Sequence, residues 1–269
     1  MPTNGSGFAV RAFATRNAPL VIHAGTDPCR LCESRHASIC DAVEGKDLAR
    51  LADLAVPARV PAAKVFLIEG DPADSLVNIR NGVARLFKSL PDGRRQLVGF
   101  AGPGHFLGLS PAGRYVYSAE AIGPVELCRY SRSRMAALLA DLPALESRLL
   151  ERVANELATA QEQILLLGRK TARERLATFL LARAALHPFV PPLPRPWPCP
   201  GPAPVRELVQ TVVLPMTRQD IADYLGLTIE TVSRTFGALK RDDLIALPRP
   251  DTVLLLALTH LAEMAAGEN

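Results

Sequence analysis

The sequence predicts an α+β chain: short antiparallel strands first, then one long amphipathic helix, then a compact helix pair closed by a hairpin. Three observations carry that prediction. Turn signals recur about every 10–12 residues between Pro57 and Tyr130, apolar residues follow a three-and-four spacing from Leu150 to Leu167, and two capped helices flank Gly226 between Met216 and Leu247.

The 269 residues, 48% of them hydrophobic, can bury a real core and leave room for more than one domain. Five segments are expected: residues 1–45 carrying cysteines, 46–135 rich in strands, 136–187 helical, 188–204 proline-rich, and 205–269 at the C-terminus. Net charge is only +4, so any affinity for nucleic acid must come from a local patch. No apolar run reaches the roughly 18 residues needed to span a bilayer, and the first twenty residues are too interrupted for a secretory signal. A soluble cytoplasmic protein without a membrane partner is expected. In that reducing compartment the five cysteines are expected to be reduced, metal-bound or catalytic.

In the first segment Cys29, Cys32 and Cys40 give the spacing C-x2-C-x7-C, and Cys128 lies far along the chain. The spacing alone leaves three outcomes open: a zinc site in which His36 supplies a fourth ligand, an iron–sulfur cluster on four cysteines, or no metal. Arg30, Arg35 and His36 are expected to favour thiolates. In the second segment Gly70-Asp-Pro, Asn81-Gly82, Pro91-Asp-Gly93 and Gly102-Pro-Gly104 punctuate strand-like stretches at 65–68, 83–87 and 96–100, the pattern of an antiparallel β-roll.

Leu150, Val153, Leu157, Ala160, Ile164 and Leu167 then form a heptad seam flanked by Arg152, Glu156, Gln161 and Glu162. Such a stripe packs either on its own domain or on a second copy. Ala160 stands mid-seam where an acidic residue would oppose pairing, which predicts weakly gated dimerisation. Nine prolines in the 17 residues of 188–204, beside Trp197, exclude helix and central strand and predict a stiff extended insertion. Cys199 within it is expected to be a bystander.

In the last segment Thr217 caps a first helix, Asp220 is its acidic partner, and Ile221, Ala222 and Leu225 are its apolar face. Gly226 ends that helix and Thr228 caps the next, whose Ile229, Val232 and Phe236 mark a packed side. Glu230, Ser233 and Arg234 occupy the opposite side near the N-terminus, the end that a recognition helix pushes into the major groove of double-stranded DNA. Arginine pairs bidentately with guanine and a carboxylate accepts from the cytosine amino group, so Glu230 and Arg234 can read one G·C pair. A surface ion pair is the plainer alternative. Residues 243–248 and 252–256 suit a β-hairpin wing, with Arg249 at its tip for a phosphate contact.

This segment resembles the winged helix-turn-helix of the CRP/FNR family of bacterial transcription regulators, and the resemblance extends over most of the chain. The run Ile229-Glu-Thr-Val-Ser-Arg234 is similar to the FNR branch. That resemblance implies a palindromic operator with TTGAT and ATCAA halves, with Ser233 on a T·A pair beside the G·C pair. It further implies a cyclic-nucleotide-binding-like sensor domain, a homodimer through the long helix, RNA polymerase as a partner, and no enzymatic activity. Cyclic AMP is not expected: Leu109 and Tyr117 stand where the nucleotide-binding branch has its Glu and Arg, and Ser118 alone remains of the Arg-Ser pair. FNR-type oxygen sensors hold a [4Fe-4S] cluster on three N-terminal cysteines and one in the β-roll, which implies Cys29, Cys32, Cys40 and Cys128 here. The seven-residue gap resembles an FNR-like subgroup. The resemblance thus implies oxygen control of anaerobic or microaerobic genes. Its alternatives are a family member with haem or another small effector, structural zinc, or an electron-transfer protein, and against the last stands the lack of a nucleotide-binding glycine fingerprint.

Overall fold

The computed structural model describes residue 29 and residues 31–110, 113–186 and 209–267. The proline-rich insertion with Trp197 and Cys199 lies outside the described residues, as does Arg30. A short 3-10 turn, Ile39–Ala42, leads into α1, Gly45–Leu54. Next come β1 Val56–Val60, β2 Val65–Leu67, β3 Ser75–Asn81, β4 Ala84–Ser89, β5 Arg95–Ala101, β6 Phe106–Leu107, β7 Ser118–Ala121 and β8 Val125–Ser131. They form two antiparallel four-stranded sheets with the orders β1-β8-β3-β6 and β2-β7-β4-β5. This is the expected β-roll.

Side-chain alternation explains why β3 is buried on both faces. Val77 and Ile79 join Ala84, Ala119 and Leu127 between the sheets, while Leu76 faces outward into a second cluster with Ile39, Cys40, Leu48, Tyr130, Met135 and Leu145. That outer cluster is the floor on which the cysteine segment lies. Gly104 permits the approach: its φ is 84°, and a Cβ there would collide with the backbone of Ala37.

Helices follow: α2 Arg132–Asp141, α3 Pro143–Arg169 and α4 Ala172–Leu186. Pro143 opens the 27-residue α3 at a position where its missing N–H costs nothing. Along it Leu150, Val153, Leu157, Ala160 and Ile164 are exposed in the single chain, Leu150 to 63% and Ile164 to 72%. Leu167 is not; it is half-buried against the C-terminal core, beside the fully packed Leu166. The apolar series therefore divides, because the last turn of α3 meets another domain of the same chain.

The C-terminal unit comprises β9 Gln210–Val213, α5 Arg218–Leu225, α6 Ile229–Arg241, β10 Ile245–Arg249, β11 Thr252–Leu255 and α7 Leu258–Ala266. The predicted wing hairpin is present and gains a third strand, in the order β10-β11-β9. Its first strand starts at Ile245 rather than 243, because Asp243 takes a left-handed turn with φ 54°. α4 buries Leu176, Phe179 and Leu180 in the same cluster as Ile221, Phe236 and Leu261, so it is a wall of this unit although it follows directly on the long helix. Among the described residues no helix is long and apolar enough to cross a membrane.

Candidate cysteine centre and nucleic-acid interface

The cysteine segment is wound by its own backbone. Cys32 N–H reaches Cys29 O at 3.5 Å and Arg35 N–H reaches Cys32 O at 3.0 Å, turning the chain so that both thiols face the β-roll. Ser38 then caps the 3-10 turn by accepting from Cys40 N–H at 3.1 Å, which drives Cys40 into the core, 8% exposed. Cys29, Cys32 and Cys128 are half-buried. Cys128, on β8, stands opposite Asn78 of β3 in the sheet register, and Asn78 Nδ2 donates to Cys40 Sγ at 3.9 Å. Tyr130, two residues along β8 on the same face, is 2% exposed, and its hydroxyl favours the ionised forms of the Cys40 and Cys128 thiols. Cys29, Cys40 and Cys128 all lie within electrostatic reach of Tyr130, and Cys32 within reach of Cys40 and Cys128. The four cysteines named from the sequence thus lie in one region of the β-roll surface, within electrostatic reach of Tyr130 or of one another.

Electrostatics there differ from the expectation. Burial pushes the Cys40 thiol up and pushes Cys128 up to about 11, so as bare groups they are protonated thiols rather than thiolates. The cation that opposes this at Cys128 is Arg80 of β3, which also bonds with Cys32. Arg35 also favours the Cys40 thiolate, as expected, but less than burial opposes it, while donating to Val43 O at 3.0 Å and spanning to Glu44 at 3.7 Å. His36 is turned to solvent, 82% exposed, and pairs with Asp41 at 2.9 Å, so it stands outside the sulfur pocket. Among the described residues no three Cys, His, Asp or Glu side chains are close enough to hold one ion as they stand. The donor set itself, four soft sulfurs beside a guanidinium, suits a thiolate-ligated metal group whose iron or zinc would displace the protons. Sequence reasoning missed Asn78, Tyr130 and Arg80. A signal for Asn78 existed: it is the lone amide in the apolar run Leu76-Val-Asn-Ile79.

At the positions a nucleotide would use, Ser118 is buried with its hydroxyl accepting from Glu69 N–H at 2.9 Å. Tyr117 is half-buried near Gly108, and burial raises its phenol to about 12. Leu109 is partly buried against the outer cluster.

The reading helix is held from beneath. Thr217 accepts from Asp220 N–H at 3.1 Å and Asp220 Oδ2 accepts from Thr217 N–H at 2.9 Å, a complete capping box at the start of α5. Gly226 closes α5 at φ 62°, where a Cβ would stand 3.1 Å from Leu167 of α3. Thr228 then caps α6 by accepting from Thr231 N–H at 3.2 Å. Val232, Thr235, Phe236 and Leu239 are the buried face, and the Arg218 guanidinium lies over the Phe236 ring at 3.4 Å. Ile229, expected on that face, is 38% exposed, because it belongs to the first turn, ahead of the contact with α4. Glu230, Ser233 and Arg234 are exposed together, as are Thr217, Thr228 and, at the end of β10, Arg249. Arg234 donates to Thr231 Oγ1 at 3.4 Å. Glu230 is held below the usual carboxylate range by its own backbone N–H first, then by the Thr228 hydroxyl and least by Arg234, so it stays an acceptor.

A β-roll joined by a long helix to a capped helix pair with a wing defines a sensor-linked DNA-binding regulator. Residues 214–245 match the model for bacterial regulatory proteins of the crp family, and residues 57–141 match the cyclic nucleotide-binding domain. The chain is 40% identical over 237 residues to the transcriptional activatory protein AadR of Rhodopseudomonas palustris, covering 88% of this chain and 92% of that protein. It is 35% identical to the transcriptional activator protein FnrL of Cereibacter sphaeroides, covering 93% and 95%. The structure of FixK2 from Bradyrhizobium japonicum superposes with a TM-score of 0.67 at 31% identity, covering 78% of this chain and 96% of that one. The chain belongs to the CRP/FNR family of transcription regulators, DNA-binding proteins that are typically dimeric and are not enzymes.

Proposed function

We propose that this chain is an oxygen-responsive cytoplasmic activator of the FNR type, a homodimer that binds a palindrome with TTGAT and ATCAA halves and works with RNA polymerase. One observation carries the reading: Cys29, Cys40 and Cys128 lie within electrostatic reach of Tyr130 and Cys32 within reach of Cys40 and Cys128, although more than ninety residues separate the first from the last. Those four thiols would hold a [4Fe-4S] cluster, which when bound supplies a chemistry that oxygen destroys. The chain's own residues do the rest. Asn78 and Tyr130 orient Cys40 and Cys128, and Arg80 offsets the negative charge of ionised sulfurs. The 3-10 turn bearing Cys40 packs on α3, so the order of that segment bears directly on the helix that carries the exposed apolar stripe. Glu230 and Arg234 read the G·C pair of each half-site and Ser233 the neighbouring T·A pair. Thr217, Thr228 and Arg249 stand where the DNA backbone passes.

Anaerobic purification followed by iron and acid-labile sulfide analysis tests this, with operator binding measured by fluorescence anisotropy before and after air. Four irons and four sulfides per chain, with binding lost as the colour bleaches, is the expected result. Colourless protein holding stoichiometric zinc, or a sharp haem band, overturns the oxygen reading. The dimer is tested separately by Leu157→Glu in α3: each chain loses about 2 kcal/mol of apolar burial, and sedimentation shifts from dimer to monomer. A variant that sediments as wild type means that α3 is not the seam.

A further inference from the structure

One guanidinium bridges a carboxylate of each domain where the two meet. Arg85 lies in β4 directly across from Glu120 of β7, and its Nη2 donates to Glu120 Oε1 at 2.6 Å. Its Nη1 crosses to the C-terminal unit and donates to Asp220 Oδ1 at 2.5 Å. Both carboxylates are nearly sealed from solvent, with side chains 7% and 5% exposed. The other oxygen of Asp220 is fully engaged, accepting from the N–H of Thr217 at 2.9 Å and from its hydroxyl at 2.7 Å. An unbroken chain of polar contacts therefore runs from a sensor strand to the cap of the first helix of the DNA-reading pair. Gln96 of β5 donates to Asp223 O at 2.7 Å beside it, and Phe100 packs on Tyr224 with 5.3 Å between ring centres. A second cation, Arg95, reaches Glu120 at 3.4 Å but is half exposed.

We infer that Arg85 is a positioning residue for DNA recognition, which fixes the winged helix-turn-helix on the β-roll by bridging Glu120 and Asp220. Without the guanidinium, two buried carboxylates face one another across the joint, Glu120 left with only the half-exposed Arg95 and Asp220 with only Thr217, and the joint opens to hydrate them. Docking leaves Glu230, Ser233 and Arg234 exposed, so the bridged arrangement is the one that presents the reading face. In a dimer the consequence doubles, because both reading helices must meet half-sites at a fixed spacing. The inference rests on membership of a DNA-binding family and not on what the cysteines hold.

The test uses the full chain and a duplex that the wild-type protein selects from a random pool. Arg85→Ala binds that duplex about tenfold more weakly, within the range of coupled sites, and the amides of Thr217 to Ile221 exchange hydrogen faster. Arg85→Lys recovers part of the loss, since one ammonium cannot fork across both carboxylates. Glu120→Gln keeps the shape but withdraws the sensor-side charge, and weakens binding in the same direction by about threefold. Affinity of Arg85→Ala within about twofold of wild type, or a loss of affinity with unchanged exchange at α5, overturns the inference. If Arg85→Ala does not fold, Glu120→Gln decides, and unchanged affinity there overturns it as well.

Discussion

Cys40 and Arg234 stand at opposite extremes of exposure. The thiol is 8% exposed beneath a capped turn and accepts a hydrogen bond from a buried amide, whereas the guanidinium stands in solvent with one long contact to Thr231. The reading face stays in solvent with only local contacts within α6 and its cap, and rigidity comes from the threonine caps and the apolar face below. The sulfur pocket does the reverse. Its groups lie against the outer hydrophobic cluster, Cys40 buried and Cys29, Cys32 and Cys128 half-buried, so a change at them bears on the packed elements around them.

That contrast can be broken from either side. The largest effect is expected at the pocket: Cys128→Ser removes one of four donors, and anaerobic iron content and air-sensitive operator binding are lost together. Retention of four irons per chain would falsify the ligand assignment. Next comes the floor of the reading face, where Phe236 is 2% exposed. Phe236→Ala lowers stability by about 3–5 kcal/mol in thermal or denaturant unfolding, although the residue touches no base. Replacing an exposed reader has a smaller and different effect. Arg234→Ala costs about 1–3 kcal/mol at the cognate site and relaxes preference at one base pair, whereas equal loss on all sequences would assign it to the phosphate backbone. The smallest is at the cap, where Thr217→Ala costs about 1 kcal/mol of stability and leaves base preference unchanged.

The helix pair was legible because each signal in it is local: two threonine caps, an acid three residues on, a glycine with positive φ, and an apolar period all fall within about thirty residues. The β-roll was legible as a class from its turns, but not in its pairings, which join segments far apart. Where local signals met tertiary ones, boundaries moved. Asp243 reads as the first residue of a strand and is a left-handed turn; Leu167 continues the α3 period and is claimed by the C-terminal core. β9 was missed because four residues after a proline-rich stretch carry no alternation strong enough to mark a strand. The four cysteines could be picked out from spacing and resemblance, yet their thiol character could not. His36 turns away, Arg35 favours the Cys40 thiolate too weakly to offset burial, and the cation at Cys128, Arg80, comes from another strand. Arg85 was beyond reach for the same reason, as Asp220 lies 135 residues further on.

One long element touches both regions. Near its first half α3 takes the carbonyl of Ala37 through Arg152, beside the cysteine turn. Near its end Gln163 donates to Tyr224 O at 2.8 Å, and Leu167 abuts the Gly226 bend. Arg175, just beyond, rivets the two by donating to Leu167 O at 2.9 Å and Leu225 O at 2.8 Å. At about 1.5 Å of rise per residue the helix is a lever about 40 Å long, and a tilt of about 5° at one end swings the other by roughly 3 Å. That is enough travel to carry the bend between the two DNA-facing helices across most of a base-pair step.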